Sequence, residues 1–230
     1  VRSRGLFVTG TGTGVGKSVV AAAIVAALTA RGEKVAAFKP AVSGLDELTP
    51  GWPPDHELLA SATGWQKPSE VAPFTFGPAV SPHLAAREAG VQVTLEALTT
   101  AYSAAAASAD LIVCEGVGGL MVPLSDDPPL SVLDFAKAIA LPAVVATHPG
   151  LGTISDTRLT VDRLESEGIA VSAVVISGWP EQPSSIERSN LQTLAELLRV
   201  DVATLPLTSP ERLADDAADL PLERWLHAAA

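Results

Sequence analysis

Gly10-Thr11-Gly12-Thr13-Gly14-Val15-Gly16-Lys17-Ser18 is the stretch from which the fold can be read. It follows the apolar run Leu6-Phe7-Val8 and precedes a long Ala/Val/Ile/Leu segment. Apolar strand, glycine-rich turn, Gly-Lys-Ser and helix together lay out a phosphate-binding loop. Glycines let backbone N–H groups approach phosphate oxygens with no Cβ in the way. The helix that follows turns its positive end toward the same phosphates. Lys17 would set a charge between the β- and γ-phosphates, and the Ser18 hydroxyl would reach Mg²⁺. Counted back from Gly16-Lys17, the usual first glycine position is Thr11, so the loop reads G-x5-G-K-S from Gly10.

Outward from the loop, short apolar runs recur: Leu6–Thr9, Val35–Lys39, Leu111–Cys114, Ala143–Thr147, Val171–Ile176 and Val202–Leu205. They lack polar alternation, as expected for strands buried on both faces. Between them the sequence predicts helices at Lys17–Ala30, Leu95–Ser108, Ser131–Ile139, Ser155–Glu167 and Ser185–Leu198, with Gly32 and Gly168 where C-caps belong. Strand alternating with helix predicts an α/β fold with a mostly parallel central sheet flanked by helices on both faces. The Pro-, Gly- and Trp-rich region Ala41–Gly90 reads as a long insertion at the sheet's C-terminal edge, with short helices at Asp55–Thr63 and Pro82–Ala89. Pro123–Pro129 reads as a second such loop. No repeat, low-complexity linker or domain boundary interrupts the chain, so 1–230 reads as a single P-loop NTPase-like domain.

A formal net charge of −11 and the lack of any arginine- or lysine-rich cluster argue against a nucleic-acid partner. No apolar run reaches membrane-spanning length without a charge or turn signal, so no membrane partner is expected. The single cysteine, Cys114, excludes an internal disulfide and fits a reducing compartment. Val1-Arg2-Ser3-Arg4 leads toward the first strand with no secretory pattern, so the expected location is the cytoplasm.

Several constellations could carry chemistry. Leu111–Glu115 is an apolar strand ending in a carboxylate, followed by Gly116-Val117-Gly118-Gly119. A carboxylate there lies beside the phosphate loop and can hold Mg²⁺, or it can simply cap a turn. Cys114 reads as a small buried hydrophobe rather than a nucleophile. Lys39 ends the second strand and points toward the crevice of Lys17, unless it is a solvated strand-end lysine. Two ammonium groups over one site suit a substrate that gathers more negative charge than a nucleotide alone. Asp55 either N-caps a helix starting at His56 or supplies a second Mg²⁺ carboxylate. Ser81-Pro82-His83 is a helix start with Pro at its first position or a pocket wall. The turn Gly150-Leu151-Gly152-Thr153-Ile154 precedes a helix, whose N–H groups could bind a carboxylate.

Together these blocks resemble the dethiobiotin synthetase family. The similar blocks are G-T-x-T-x-V-G-K-[ST] at Gly10–Ser18, K-P-x-x-S-G at Lys39–Gly44, S-P-H at Ser81–His83, E-G-x-G-G at Glu115–Gly119 and L-G-T-I at Leu151–Ile154. The resemblance implies an ATP-dependent ring closure. CO₂ joins 7,8-diaminononanoate, ATP phosphorylates the carbamate, and a cyclic urea closes. It implies that Gly12, Thr13, Gly14, Val15, Gly16, Lys17 and Ser18 hold the triphosphate of ATP or another nucleoside triphosphate. Ser177, Gly178 and Pro206 would lie on the base side. Ser18, Asp55 and Glu115 would hold Mg²⁺. Lys17, Lys39, Thr13 and Ser43 would surround the carbamate and the transferring phosphoryl group. Ser43, Gly118 and the turn Gly150, Leu151, Gly152, Thr153 and Ile154 would take the substrate, the turn coming from the neighbouring subunit of a homodimer.

The chain also departs from the family pattern. Gly14 stands where many members carry an acid, and Val117 replaces the alanine of E-G-A-G-G. Ser155-Asp156 replaces Asn-His, which sets a negative charge near the carboxylate turn. Ile176-Ser177-Gly178-Trp179 lacks the asparagine that often reads adenine, which implies loose base selectivity. The competing reading is a switch ATPase of the chromosome-partitioning or division-site class. Those proteins carry a second lysine early in the loop, where this chain has Gly12, together with a membrane helix or basic face.

Overall fold

The computed structural model describes residues 4–47 and 50–227, so the reading of Val1-Arg2-Ser3 and both ends of the expected 1–230 domain lie outside the described residues. Eight strands are present among the described residues: β1 Gly5–Gly10, β2 Val35–Phe38, β3 Leu111–Glu115, β4 Pro123–Asp126, β5 Pro129–Ser131, β6 Ala143–Thr147, β7 Val171–Trp179 and β8 Asp201–Pro206. The helices are α1 Lys17–Ala30, α2 Asp55–Thr63, α3 Pro68–Val71, α4 Pro82–Glu88, α5 Leu95–Ala107, α6 Val132–Ile139, α7 Thr153–Ser166, α8 Ser185–Leu197, α9 Leu213–Asp216 and α10 Leu222–His227.

Six strands form one parallel sheet in the order β2-β3-β1-β6-β7-β8. β1 is central, with Gly5 opposite Ile112 on one side and Phe7 opposite Ala143 on the other. The chain winds away from β1 in both directions, and such switch points open the ligand crevice at the strands' C-terminal ends. Successive strand residues feed two separate cores. Leu6, Val8, Val113 and Val144 pack with α1, α2, α9 and α10. Phe7, Cys114, Phe38 and Val145 pack with α5, α6 and α7. Burial on both faces explains the missing polar alternation.

Local chemistry sets the helix ends. Gly32, at φ 88°, follows α1, and Gly168, at φ 76°, follows α7, where a left-handed residue costs a glycine little. Ser131 with Asp134, and Ser184 with Glu187, form reciprocal capping boxes that open α6 and α8. Two expectations are corrected. Pro123–Pro129 is no plain loop: β4 and β5 pair antiparallel, because Leu124 and Leu130 anchor the ladder in the core around Phe38. Asp55 does not N-cap a helix starting at His56. It is the first residue of α2, and Pro54 holds the cap position without a side-chain bond.

The Ala41–Gly90 insertion is stitched to the end of β2. Lys39 N donates to Val71 O, Val42 N to Phe74 O, and Phe76 N to Val42 O. These bonds hold α2 and α4 over the C-terminal edge of the sheet, which places the functional side chains described next.

Candidate active site

The phosphate-loop sequence has the shape that the sequence predicts. β1 ends at Gly10 and α1 begins at Lys17. Gly16 adopts φ 89°, and a Cβ on it would lie 2.2 Å from Ser177 Oγ. Only glycine combines that dihedral with so close a neighbour. The glycines after β3 serve a similar purpose. Gly118, at φ 59°, stands where a Cβ would meet Val122 at 2.8 Å and Thr13 Oγ1 at 3.5 Å. The loop after Glu115 therefore lies against the phosphate loop. An added Cβ at Gly14 would meet nothing within 4 Å, so the missing acid leaves open space.

The two lysines share one cavity of about 730 Å³ with Thr13, Ser18, Ser43, Asp55, Glu115 and Gly118. Lys17 is buried and its Nζ donates to Gly12 O at 2.6 Å, folding the side chain back over the loop. Burial lowers the pKa of the Lys17 ammonium, and Lys39 adds to that, while Glu115 and Asp55 oppose it. Lys39, 3 % exposed, lies between two carboxylates: Nζ is 2.5 Å from Asp55 Oδ2 and 2.5 Å from Glu115 Oε1. Burial alone would lower its pKa, but the two carboxylates outweigh that and hold it above the usual lysine value.

Glu115 is fully buried, and its Oε1 also accepts the Ser18 hydroxyl at 2.8 Å. Its second oxygen, Oε2, is buried with no hydrogen-bond partner. Burial raises the pKa of this carboxyl and the Asp55 charge raises it further, against the pull of Lys39. Burial acts on Asp55 in the same direction, but Lys39 prevails and holds that carboxyl low. Among the described residues no cluster of three His, Cys, Asp or Glu side chains is arranged to hold a metal. Ser18, Asp55 and Glu115 instead offer two carboxylates and a hydroxyl. Such hard oxygen donors suit Mg²⁺, and the unpartnered Glu115 Oε2 could serve as one of them.

Comparison with known proteins decides the family. A family model described as an AAA domain matches residues 4–209. An ATP-dependent dethiobiotin synthetase BioD from Anaeromyxobacter dehalogenans is 42% identical over 205 residues, covering 88% of this chain and 90% of the relative. The BioD of Bacillus subtilis is 32% identical over 200 residues, covering 86% of this chain and 85% of the relative. The chain belongs to the ATP-dependent dethiobiotin synthetases. It is a dethiobiotin synthetase, a ligase forming C–N bonds, as the sequence blocks imply. The MinC:MinD cell division complex of Aquifex aeolicus is a structural neighbour, with TM-score 0.57 over 99% of this chain and 94% of that chain. At 16% identity that likeness shows the P-loop fold alone, and the sequence relatives favour the synthetase over the switch ATPase.

In this dethiobiotin synthetase the residues named from sequence fall into three groups. Thr13, Gly14, Gly16, Lys17, Ser18, Lys39, Ser43, Asp55, Glu115 and Gly118 line the one cavity. Gly12 and Val15 complete the loop: Gly12 O holds Lys17, and Val15 is buried under the loop. Ser43 Oγ donates to Val80 O at 2.7 Å. Ser177, Gly178 and Pro206 gather at the ends of β7 and β8, where Trp179 pairs with Pro206 and Ser177 touches Gly16, outside that cavity's wall. The third group, Gly150 to Ile154, stands apart. Leu151, Gly152 and Ile154 line a separate groove of about 590 Å³ with Arg158 and Asn190. Thr153 is fully buried, with its hydroxyl 2.7 Å from that of Thr147. The Asp156 carboxylate lies 3.9 Å from where a Gly152 Cβ would be, so it does not face away from the turn. His83 Nε2 sits 3.9 Å from Asp126 Oδ1, while Ser81 and Pro82 form the pocket wall. Cys114 is buried, and burial pushes its thiol pKa well up, as fits a core residue.

Sequence reading missed Asn190, whose amide donates to Pro149 O at 2.9 Å and Gly150 O at 3.0 Å and fixes the turn from α8. It also missed Thr147, at the meeting point of the Thr11, Thr153 and Thr157 hydroxyls. The signal available was a polar residue at a position with core periodicity.

Proposed function

We propose that this synthetase uses ATP to close 7,8-diaminononanoate and CO₂ into the cyclic urea of dethiobiotin, and that Ser18, Asp55 and Glu115 hold Mg²⁺. The observation that carries the reading is the pair of buried lysines in one cavity with two carboxylates and the phosphate loop. The second lysine of the competing switch ATPases stands early in the loop, where this chain has Gly12, whereas here the second ammonium comes from the end of β2. Joining a carbamate to a γ-phosphate brings two anions together, and a second ammonium offsets their repulsion.

The residues divide the work by position. Backbone N–H groups of Gly12 to Lys17 cradle the triphosphate at the N-terminus of α1. The substrate amine attacks CO₂ and loses a proton, giving a carbamate whose oxygen faces Lys39 and Ser43. That oxygen attacks the γ-phosphorus and ADP leaves, with Lys17 and Thr13 holding the equatorial oxygens as their charge grows. The second amine then attacks the carbonyl carbon of the carbamoyl phosphate and expels inorganic phosphate. Bound Mg²⁺, held by Ser18, Asp55 and Glu115, would neutralise negative charge on the triphosphate. Val117 and Val122 line the cavity beside Gly118, where the methyls of Val117 would narrow the diamine's approach.

The turn Gly150–Ile154 supports a carboxylate site for the distal end of the diamine, supplied across a homodimer interface. The exposure of Leu151 (86 %) and Leu159 (67 %) around that groove favours a covering subunit. Ser177 and Gly178 at the base side support use of several nucleoside triphosphates. No described helix is long and apolar enough to cross a membrane; the single cysteine supports a cytoplasmic location, and the net charge of −11 without a basic cluster speaks against a nucleic-acid partner. The deciding experiment incubates the protein with ATP, Mg²⁺ and bicarbonate, with and without the diamine. Phosphate release that requires the diamine is the expected result. Release that ignores the diamine would refute the reading.

A further inference from the structure

The side chains proposed for the cation are already engaged, and what they engage is an ammonium. Lys39 Nζ lies 2.5 Å from both Asp55 Oδ2 and Glu115 Oε1, and Glu115 Oε1 also accepts the Ser18 hydroxyl at 2.8 Å. Lys39 is 3 % exposed and Glu115 is fully buried, so water contributes little to either charge. Two carboxylates thus face Lys39 directly and Lys17 across the same cavity. The local charges balance.

A bare divalent cation would upset that balance. It must either displace the Lys39 ammonium from Asp55 Oδ2 and Glu115 Oε1, or bind the unpartnered Glu115 Oε2 on the same carboxylate that already holds that ammonium, and the cavity lining offers the ammonium no other carboxylate except Glu47. Two positive charges would stand uncompensated in a partly dry site, which is strongly unfavourable. A cation carried on a triphosphate brings its own anionic oxygens. Those oxygens can take up Lys39 and Lys17 as the carboxylates turn to the metal.

We infer that Lys39 makes this site refuse a bare divalent cation and accept one that arrives on a triphosphate. Lys39 then selects the metal–nucleotide complex before it meets the carbamate, and the same exchange frees it from the carboxylates. The inference rests on the assignment of Ser18, Asp55 and Glu115 to the cation.

The test uses Mn²⁺ as probe, followed by the loss of its free paramagnetic resonance signal. Without nucleotide, the Lys39→Met protein should bind Mn²⁺ at least about tenfold more tightly than the wild type, because its two carboxylates lose their buried partner. With β,γ-methylene-ATP present, the difference should shrink or reverse. Equal or weaker binding of Mn²⁺ alone by the variant would overturn the inference. The wild-type chain gives a second measurement that does not depend on the variant's folding. With ¹⁵N-labelled lysine, the Lys39 Nζ resonance should stay in place when MgCl₂ alone is added and move when MgCl₂ and β,γ-methylene-ATP are added together. Movement with MgCl₂ alone at the same concentration would also overturn it. Neither measurement involves the diamine. A protein that shows the Mn²⁺ pattern but lacks diamine-dependent phosphate release loses the proposed substrate and keeps the inference. The opposite outcome loses the inference alone.

Discussion

Lys17 shows how burial and ligand charge oppose each other at a single residue. Its side chain folds back over the phosphate loop, held by Gly12 O at 2.6 Å, where loss of water lowers its pKa. Removing it in Lys17→Ala should cut turnover by on the order of 10²–10³, as loss of a group aimed at developing charge commonly does. More than about a tenth of wild-type turnover in the variant would contradict that role. The lowered pKa has a second consequence. As pH rises through a value below 10.5, the free protein's Lys17 becomes neutral and triphosphate affinity should fall on that alkaline side. Stability has the opposite sign at this group. The folded chain releases its proton more readily than the unfolded chain, so this group's contribution to stability increases with pH over the same window. Titration calorimetry of nucleotide binding between neutral and alkaline pH checks the affinity, and a curve that is flat until the ordinary lysine range would contradict it.

At the scale of elements, the meeting of α1 with β7 is tightly confined. Gly16 opens α1 at φ 89°, and a Cβ there would stand 2.2 Å from Ser177 Oγ and 2.6 Å from Ser177 Cβ. Gly16→Ala should therefore lose nucleotide binding and lower the melting temperature, through left-handed strain of about 1–2 kcal/mol plus the clash. The double variant Gly16→Ala, Ser177→Gly removes the clash but not the strain, and should recover part of the binding. Wild-type affinity in Gly16→Ala alone would show that the contact yields freely. The same elements show what could be read in advance. α1 and β6 have their expected bounds because strong apolar patterns meet clear turn signals at both ends. The β4–β5 hairpin was hidden because Pro123, Pro128 and Pro129 read as loop, and its pairing depends on the burial of Leu124 and Leu130, a tertiary effect. Glu115 and Lys39 were individually legible as strand-end charges. Asp55 joins Glu115 in the sequence reading only through the family resemblance, and the place of Lys39 between them, 2.5 Å from an oxygen of each, was not legible, because the sheet order and the folded insertion set it.

At the scale of the molecule, the tail closes the structure. Trp225 of α10 is fully buried in the core with Leu6 and Val8, and its Nε1 donates to Asp201 Oδ2 at 2.9 Å. Ser172 on β7 donates to Trp225 O at 2.8 Å. Trp225→Ala should cost about 3–5 kcal/mol, measured by chemical denaturation, since it empties a large site that rigid strands cannot refill. A loss below about 1 kcal/mol would show that α10 docks only loosely. The residue is remote from the cavity, so nucleotide affinity of the folded fraction should be unchanged.

The position of β1 at the middle of the sheet also bears on how the chain is made. Its neighbours are β3 and β6, with Gly5 opposite Ile112 and Gly10 opposite Ala146. The ribosome therefore delivers this inner strand well before either of its partners. Until residue 115 has emerged, Gly5–Gly10 is an apolar ribbon with two open edges, the kind of segment that sticks to other chains. Contacts so distant along the chain also slow closure of the sheet after release. The phosphate loop adjoins that strand, so nucleotide is expected to stabilise the chain only once β3 and β6 have paired with β1.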